Sequence, residues 1–371
     1  MQNKTIRLLL LLTLFLSAVN GHAQELIPPT HPAISYQGRV DSSNPDVVRF
    51  DWPGVSIGCR FTGERIGLRM EGGERNHFNL FIDGELVSVF SAPRDTTLFF
   101  QPSTPGKSHE LLLTKRTEAD MGMTLFMGFI PAEKGEILPS LRQSERKIEF
   151  IGNSITCGYG TEGSNRDERF RPETENNYKS YAAILARAFN AEAHYIAHSG
   201  KGMVRNYGDE KPVSDPQETM LGRYDYTLDN DPSLQWDFSR WKADCVVINL
   251  GTNDFSTMPH PNRDSFLNAY KQIISKVRSS YGDVPIFCVV GPMINEPCFT
   301  YVKELTSYYR NEANDGQVYF AGLPDNLLND RGDLGSDWHP SYIGQLKIAS
   351  QLLVPIATKM EWHFHTDEIF P

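Results

Sequence analysis

The first part of the chain alternates between short apolar runs and turn-forming residues. Between residues 34 and 130, runs such as 55–68, 78–90 and 110–113 are separated by Gly, Pro, Asp and Asn. Asp83–Gly84 lies between two alternating stretches, which indicates a tight β-hairpin. No stretch here keeps a helical period over three turns. The pattern predicts an antiparallel β-sandwich, of the jelly-roll kind, over residues 30–131.

The pattern changes after residue 131. Residues 132–146 are mostly polar and are interpreted as a connection between domains. Beyond them, buried strands alternate with amphipathic helices. The predicted strands are residues 147–151, 193–197, 244–250 and 285–290, and the predicted helices are residues 178–190, 265–278, 300–314 and a last one after Pro340. This alternation predicts an α/β domain over residues 147–365, with a parallel sheet covered on both faces.

The length of the chain agrees with this division into two domains, and its net charge excludes some classes of binding partner. A chain of 371 residues suits two domains. Its composition, 40% hydrophobic and 22% charged, is that of a soluble globular protein. The formal net charge of -10 argues against nucleic acid or an anionic membrane surface as a partner.

The N-terminus has the pattern of an export signal. Lys4 and Arg7 precede an apolar run over residues 8–19, and Gly21-His22-Ala23 supplies a small-x-small cleavage site. A membrane anchor is the alternative, but the run is shorter than the roughly 20 apolar residues that span a bilayer. We therefore expect a signal peptide over residues 1–23 and a protein exported to the periplasm or the medium, with no membrane span.

Cysteine and histidine spacing indicates neither a metal site nor a disulfide framework. The five cysteines include no C-x-x-C pair, and Cys245 and Cys288 lie inside apolar runs. His194, His198 and His260 show no metal-ligand spacing and are interpreted as structural. No metal or organic cofactor is expected.

Four loops carry the residue types of nucleophilic catalysis. Three of them follow predicted strands and contain Ser154, Gly200 and Asn253, and the fourth precedes the last helix and contains His339. In parallel sheets, reactive groups collect beyond the carboxyl ends of strands. A hydroxyl needs a base and waiting hydrogen-bond donors to act as a nucleophile. Ser154 could attack and His339 could take its proton, while an oxyanion is held by the N–H groups of Ser154 and Gly200 and the Asn253 amide.

The order of these loops resembles the SGNH hydrolases. Gly152-Asn153-Ser154 is similar to their nucleophile block, Gly200 to the glycine block, residues 251–254 to the asparagine block and residues 337–340 to the histidine block. The resemblance implies a three-layer, flavodoxin-like α/β fold, with these residues in the roles just described. A preceding β-sandwich domain resembles carbohydrate esterase family 2, which implies removal of O-acetyl groups from plant polysaccharides such as xylan and glucomannan.

The sequence departs from the family pattern beside the base. The family's acid usually lies three residues before the histidine, where this chain has Ser336, and Asp337 lies two before. Either Asp337 or a backbone carbonyl would then orient His339, because a base needs its tautomer fixed but the orienting group does not itself move the proton. Trp338 is a candidate platform for a sugar ring or, alternatively, a core residue.

Two other functions stay open at this point. The first is an esterase or lipase that acts on small or lipid acyl esters. The second is a carbohydrate-binding protein whose Ser–His pair is no longer catalytic. Neither the hydroxyl that would be deacetylated nor the role of the β-domain follows from the pattern.

Overall fold

The structure, a computed structural model, describes residues 25–142, 144–329 and 331–368. The predicted signal peptide lies outside the described residues. Within the described ranges, no helix has the length and apolar character needed to cross a bilayer.

The N-terminal region consists of two antiparallel sheets. The first has the strand order β1–β4–β9–β6–β7, with β11 added to β4, and the second has the order β2–β3–β10–β5–β8. The strands are β1 (Ser35–Gln37), β2 (Asp41–Asn44), β3 (Val47–Phe50), β4 (Ser56–Phe61), β5 (Ile66–Glu71), β6 (Gly73–Ile82), β7 (Glu85–Ala92), β8 (Thr96–Phe100), β9 (His109–Lys115), β10 (Thr124–Pro131) and β11 (Ile137–Leu138). The predicted β-sandwich class is confirmed.

Alternation and turn chemistry explain these strands. In β5, Ile66, Leu68 and Met70 are fully buried, as expected for side chains that alternate toward a core. Asp83 and Gly84 form the two-residue turn between β6 and β7 and both have positive φ, 55° and 86°. Such a turn matches the right-handed twist of the strands it joins, so the predicted hairpin is confirmed.

The C-terminal region is built on a five-stranded parallel sheet with the order β13–β12–β16–β17–β18. Its strands, and a separate hairpin of β14 and β15, are β12 (Arg146–Gly152), β13 (Ala191–Ala197), β14 (Tyr226–Leu228), β15 (Asp231–Gln235), β16 (Cys245–Asn249), β17 (Ile286–Val290) and β18 (Val318–Gly322). The helices are α1 (Ser154–Cys157), α2 (Tyr181–Ala188), α3 (Met220–Arg223), α4 (Thr252–Phe255), α5 (Arg263–Tyr281), α6 (Cys298–Asn311) and α7 (Tyr342–Met360). In chain order the sheet runs 2-1-3-4-5, the flavodoxin-like arrangement.

Helices cover both faces of this sheet. Alternate residues of β16 face opposite layers: Val247 packs in the cluster that contains α2 and α7, and Val246 in the cluster that contains α5 and α6. Because both faces are covered, the central strand is apolar at nearly every position. The predicted three-layer α/β class is confirmed.

The two regions share a buried, hydrogen-bonded contact. Arg39 donates to Glu149 on β12 at 3.0 Å, and both side chains are fully buried. Trp52 donates from Nε1 to the carbonyl of Thr227 at 3.1 Å. Within the predicted connection, β11 pairs with β4, so part of residues 132–146 extends the first sheet. Groups of the β-domain can therefore reach the loops of the α/β domain.

Candidate active site

Ser154 lies at the point where the strand order reverses. It follows β12, whose neighbours β13 and β16 lead into the loops of Gly200 and Asn253. Ser154 is the first residue of α1, and the Asn153 side chain caps this helix by accepting from the N–H of Ile155 at 3.1 Å. The Ser154 N–H at this helix start points out of the backbone ladder, as an oxyanion donor must.

His339 is hydrogen-bonded to the hydroxyl of Ser154. Its Nε2 lies 2.9 Å from Ser154 Oγ, and its Nδ1 lies 3.0 Å from the carbonyl oxygen of Asp337. A carbonyl oxygen can only accept, so the Nδ1 atom carries the proton and Nε2 is free to accept from the serine. This is the geometry of a nucleophile and its general base.

The Asp337 carboxylate points away from the imidazole. It accepts from the N–H of Phe170 at 3.0 Å, the hydroxyl of Tyr159 at 3.2 Å and the guanidinium of Arg169 at 3.2 Å. Asp337 and the next residue, Trp338, both have left-handed φ, 49° and 64°. Of the two groups that the sequence left open as the partner of Nδ1, the structure has the backbone carbonyl there.

Burial controls the protonation of His339. The ring lies 4.3 Å from the ring of Tyr159, which itself stacks on Phe170 at 3.9 Å. Loss of hydration disfavours the imidazolium and lowers the pKa of His339 to about 4, although the Asp337 carbonyl and charge oppose this. At neutral pH the imidazole is therefore unprotonated at Nε2 and can act as a base.

The loops of Gly200 and Asn253 are tied to each other. The Asn253 amide donates one hydrogen to the carbonyl of Lys201 at 2.8 Å, and no acceptor for its second hydrogen is found among the described residues. Gly200 has a φ of 75°, and a Cβ atom there would meet open space. The neighbouring carboxylate of Asp254 accepts from the N–H groups of Met203, Val204 and Arg205 at 2.8–2.9 Å.

Trp338 lies at the rim of the site. Its side chain is 52% exposed, and the Arg166 guanidinium lies 4.1 Å from the ring centroid. The alternative that Trp338 fills the core is therefore wrong. An exposed indole beside the base has the geometry of a stacking surface.

Buried charged residues behind the nucleophile were not identified from the sequence. Glu118, Cys157 and Glu175 bring potential ligand atoms within 4.8 Å of one another, and all three are buried. The fully buried Lys115 Nζ lies at the same place, where it donates to the carbonyls of Thr117 and Glu118. A cation of the chain itself therefore balances the acidic groups. No motif or periodicity in the sequence marks these residues, because they come together only through the packing of the two domains.

The cysteines, His194 and His198 have interior positions, whereas His260 is exposed. Every cysteine is buried and none of them forms a disulfide. His194 stacks on Trp241 at 3.7 Å, and His198 pairs with the buried Asp229. Burial alone would lower the pKa of His198, but Asp229 outweighs it and raises the pKa to about 10. His198 thus belongs to a buried ion pair.

The fold and the Ser–His pair define the class of protein, a two-domain serine hydrolase of the α/β type. The model of the GDSL-like Lipase/Acylhydrolase family matches residues 150–346, and the model Carbohydrate esterase 2 N-terminal matches residues 36–140. The chain belongs to carbohydrate esterase family 2, a family of carboxylic ester hydrolases.

Individual relatives agree with this assignment. The cellulase/esterase CelE of Acetivibrio thermocellus is 40% identical over 337 residues, which are 90% of this chain and 40% of that protein's length. An acetylxylan esterase / glucomannan deacetylase of Cellvibrio japonicus is 28% identical, over 86% of this chain and 88% of that one. A solved family two carbohydrate esterase from Clostridium thermocellum, in complex with cellohexaose, is 40% identical with a TM-score of 0.81, and the match covers 89% of this chain and 99% of that chain.

Proposed function

We propose that this protein is a serine esterase that removes O-acetyl groups from plant cell-wall polysaccharide such as xylan or glucomannan. The observation that carries the proposal is the bond between Ser154 Oγ and His339 Nε2 at 2.9 Å, together with the carbonyl of Asp337 at 3.0 Å from Nδ1. These contacts give a nucleophile, a base and a fixed tautomer, which form a Ser–His dyad.

In the first half of the reaction, Ser154 Oγ attacks the acetyl carbonyl and His339 Nε2 takes the hydroxyl proton. The carbonyl oxygen becomes an oxyanion that accepts from the N–H groups of Ser154 and Gly200 and from the free amide hydrogen of Asn253. His339 then gives its proton to the sugar oxygen, which leaves as a hydroxyl. The acetyl group stays on Ser154.

In the second half, water attacks the acetyl-serine. His339 Nε2 accepts the proton of that water, and the same three donors hold the second oxyanion. Collapse of this intermediate breaks its bond to Ser154 Oγ, which takes the proton back from His339, and the product leaves as acetic acid, which ionises to acetate in water. The residues named here account for every proton transfer, so the chemistry needs no metal or organic cofactor.

The substrate class rests on the relatives and on the rim of the cleft. An acetylxylan esterase / glucomannan deacetylase and an esterase bound to cellohexaose are both similar to this chain. The half-exposed ring of Trp338 gives a sugar ring an apolar face beside His339. The net charge of -10 is unfavourable for nucleic acid. Such a polymer lies outside the cell, in agreement with export to the periplasm or the medium.

Acetate release from acetylated xylan and acetylated glucomannan tests the proposal. The parent protein should release acetate, and Ser154→Ala should release none above background while keeping the fold, as judged by circular dichroism. A parent protein that frees no acetate from either polymer would contradict the polysaccharide assignment.

Matched measurements separate the two alternatives. With 4-nitrophenyl esters, an acetyl esterase prefers the two-carbon chain, whereas a lipase prefers chains of eight or more carbons. A carbohydrate-binding protein without activity would bind xylan equally well before and after Ser154→Ala, and would cleave no ester. Either pattern would replace the acetyl-esterase proposal.

A further inference from the structure

The loop that contains Gly200 is held from the β-domain by a single buried carboxylate. Glu118, which follows β9, accepts from the N–H of Ser199 through Oε2 at 2.5 Å. The Glu118 side chain is 1% exposed, so water does not compete for this bond. A charge-assisted bond in a dry site is stronger than a neutral bond at the surface.

The same oxygen of Glu118 also contacts the nucleophile helix. Cys157 Sγ donates to Oε2 at 3.6 Å, and Cys157 is the last residue of α1, which begins at Ser154. One atom of the β-domain thus joins the segment of the nucleophile to the segment of the oxyanion donor.

Two buried side chains hold the backbone of Glu118 in place. Its N–H donates to Glu175 Oε2 at 3.2 Å, and its carbonyl accepts from Lys115 Nζ at 2.9 Å. Burial, and after it the charge of Glu118, raises the pKa of Glu175 well above its usual value. The ammonium group of Lys115 is buried in the same cluster.

The position of Ser199 matters for Gly200, because Gly200 has no side chain that could hold its own backbone in place. Gly200 has a left-handed φ and no side chain, and the N–H group expected to bind the oxyanion belongs to the peptide between Ser199 and Gly200. On its far side the turn is held by the Asn253 amide, which donates to the carbonyl of Lys201 at 2.8 Å. Without Glu118 the N–H of Ser199 would lose its side-chain acceptor.

We propose that Glu118 is a positioning residue: it fixes the N–H of Ser199, in the peptide between His198 and Ser199, and so orients the next peptide, whose Gly200 N–H is aimed at the oxyanion. The β-domain then contributes a residue that orients the catalytic site. This inference rests on the proposed esterase function, and it adds a residue from the other domain to the machinery of that reaction.

Kinetics of Glu118→Ala and Glu118→Gln test the proposal. With 4-nitrophenyl acetate, Glu118→Ala should lower kcat by about 100-fold at a KM within about twofold of the parent, since loss of one oxyanion donor costs about 100- to 1,000-fold. Glu118→Gln keeps the shape of the side chain and an oxygen that can accept a hydrogen bond. Its kcat should be about tenfold higher than that of Glu118→Ala. Glu173→Gln is the control, because this nearby carboxylate is 61% exposed and should leave kcat unchanged.

Amide hydrogen exchange over residues 198–202 gives a readout that does not depend on activity. The Ser199 N–H should exchange slowly in the parent, faster in Glu118→Gln and fastest in Glu118→Ala, at temperatures where each variant remains folded. The proposal is overturned if Glu118→Ala keeps the parent's kcat, if KM rises instead of kcat falling, or if exchange in this segment does not change. A parent that hydrolyses no ester contradicts the proposed function alone, and exchange then decides whether Glu118 holds the turn.

Discussion

The two sides of the nucleophile are built differently. On the side of the base, His339 is oriented by a backbone carbonyl in a half-exposed segment that continues into Trp338, itself 52% exposed. On the side of the oxyanion, buried carboxylates of Asp254 and Glu118 hold the loop through its N–H groups. Substitutions of side chains next to His339 should therefore lower kcat only slightly, whereas substitutions next to the proposed oxyanion donors should lower it strongly. Removal of a reacting group itself is the exception.

The largest effect should follow removal of the base. His339→Ala leaves Ser154 without a proton acceptor, and in a unit of this kind such a change costs on the order of 10⁶-fold in kcat. Steady-state rates on 4-nitrophenyl acetate measure it. Because the pair acts as one unit, the double variant with Ser154→Ala should lose no more than either single variant. Additive losses would mean that the two residues act independently.

Removal of an oxyanion donor should have the next largest effect. Asn253→Ala takes away the free amide hydrogen and should lower kcat by about 100- to 1,000-fold, with KM nearly unchanged, because the lost bond is made chiefly in the transition state. Thr257→Ser, in a nearby loop, serves as the control. A raised KM with an unaltered kcat would show instead that Asn253 binds the ground state.

The pH dependence of kcat/KM reports on the protonation of His339 alone. Since burial lowers the pKa of His339 to about 4, the imidazole is the neutral base at every pH above that value and becomes protonated only below it. kcat/KM should therefore hold constant as pH falls through 6.5 and decline near pH 4. A pH–rate profile on 4-nitrophenyl acetate measures this limb. A decline centred near 6.5 would mean that His339 is solvated in the working enzyme.

The smallest effect should come from the carboxylate next to the base. Asp337→Asn leaves the main-chain carbonyl in place, and an amide oxygen can still accept from the N–H of Phe170, so kcat should fall by less than about tenfold. Where a carboxylate does orient the histidine, its loss costs about 10⁴-fold. A loss of that size here would make Asp337 a member of a triad and remove the contrast between the two sides.

The amino-acid sequence by itself determined the layers of the fold and the positions of the reactive groups. Hydrophobic period distinguishes the alternating strands of the β-domain from the buried strands and amphipathic helices beyond residue 146, because each pattern suits one kind of packing. Ser154, Gly200 and Asn253 each follow a strand, and parallel strands end at one edge of a sheet. Local pattern, together with the resemblance of the four loops to the SGNH hydrolases, thus sufficed to predict a candidate site.

Only the tertiary structure decided how those groups are held. The left-handed backbone at Asp337 and Trp338 turns the carboxylate toward Phe170 and the carbonyl toward His339, and no periodic signal predicts such dihedral angles. Glu118 reaches Ser199 across 81 positions of the chain and from another domain. Contacts of this kind depend on how two separately folded layers pack, and packing is a property of the whole molecule that no short segment encodes.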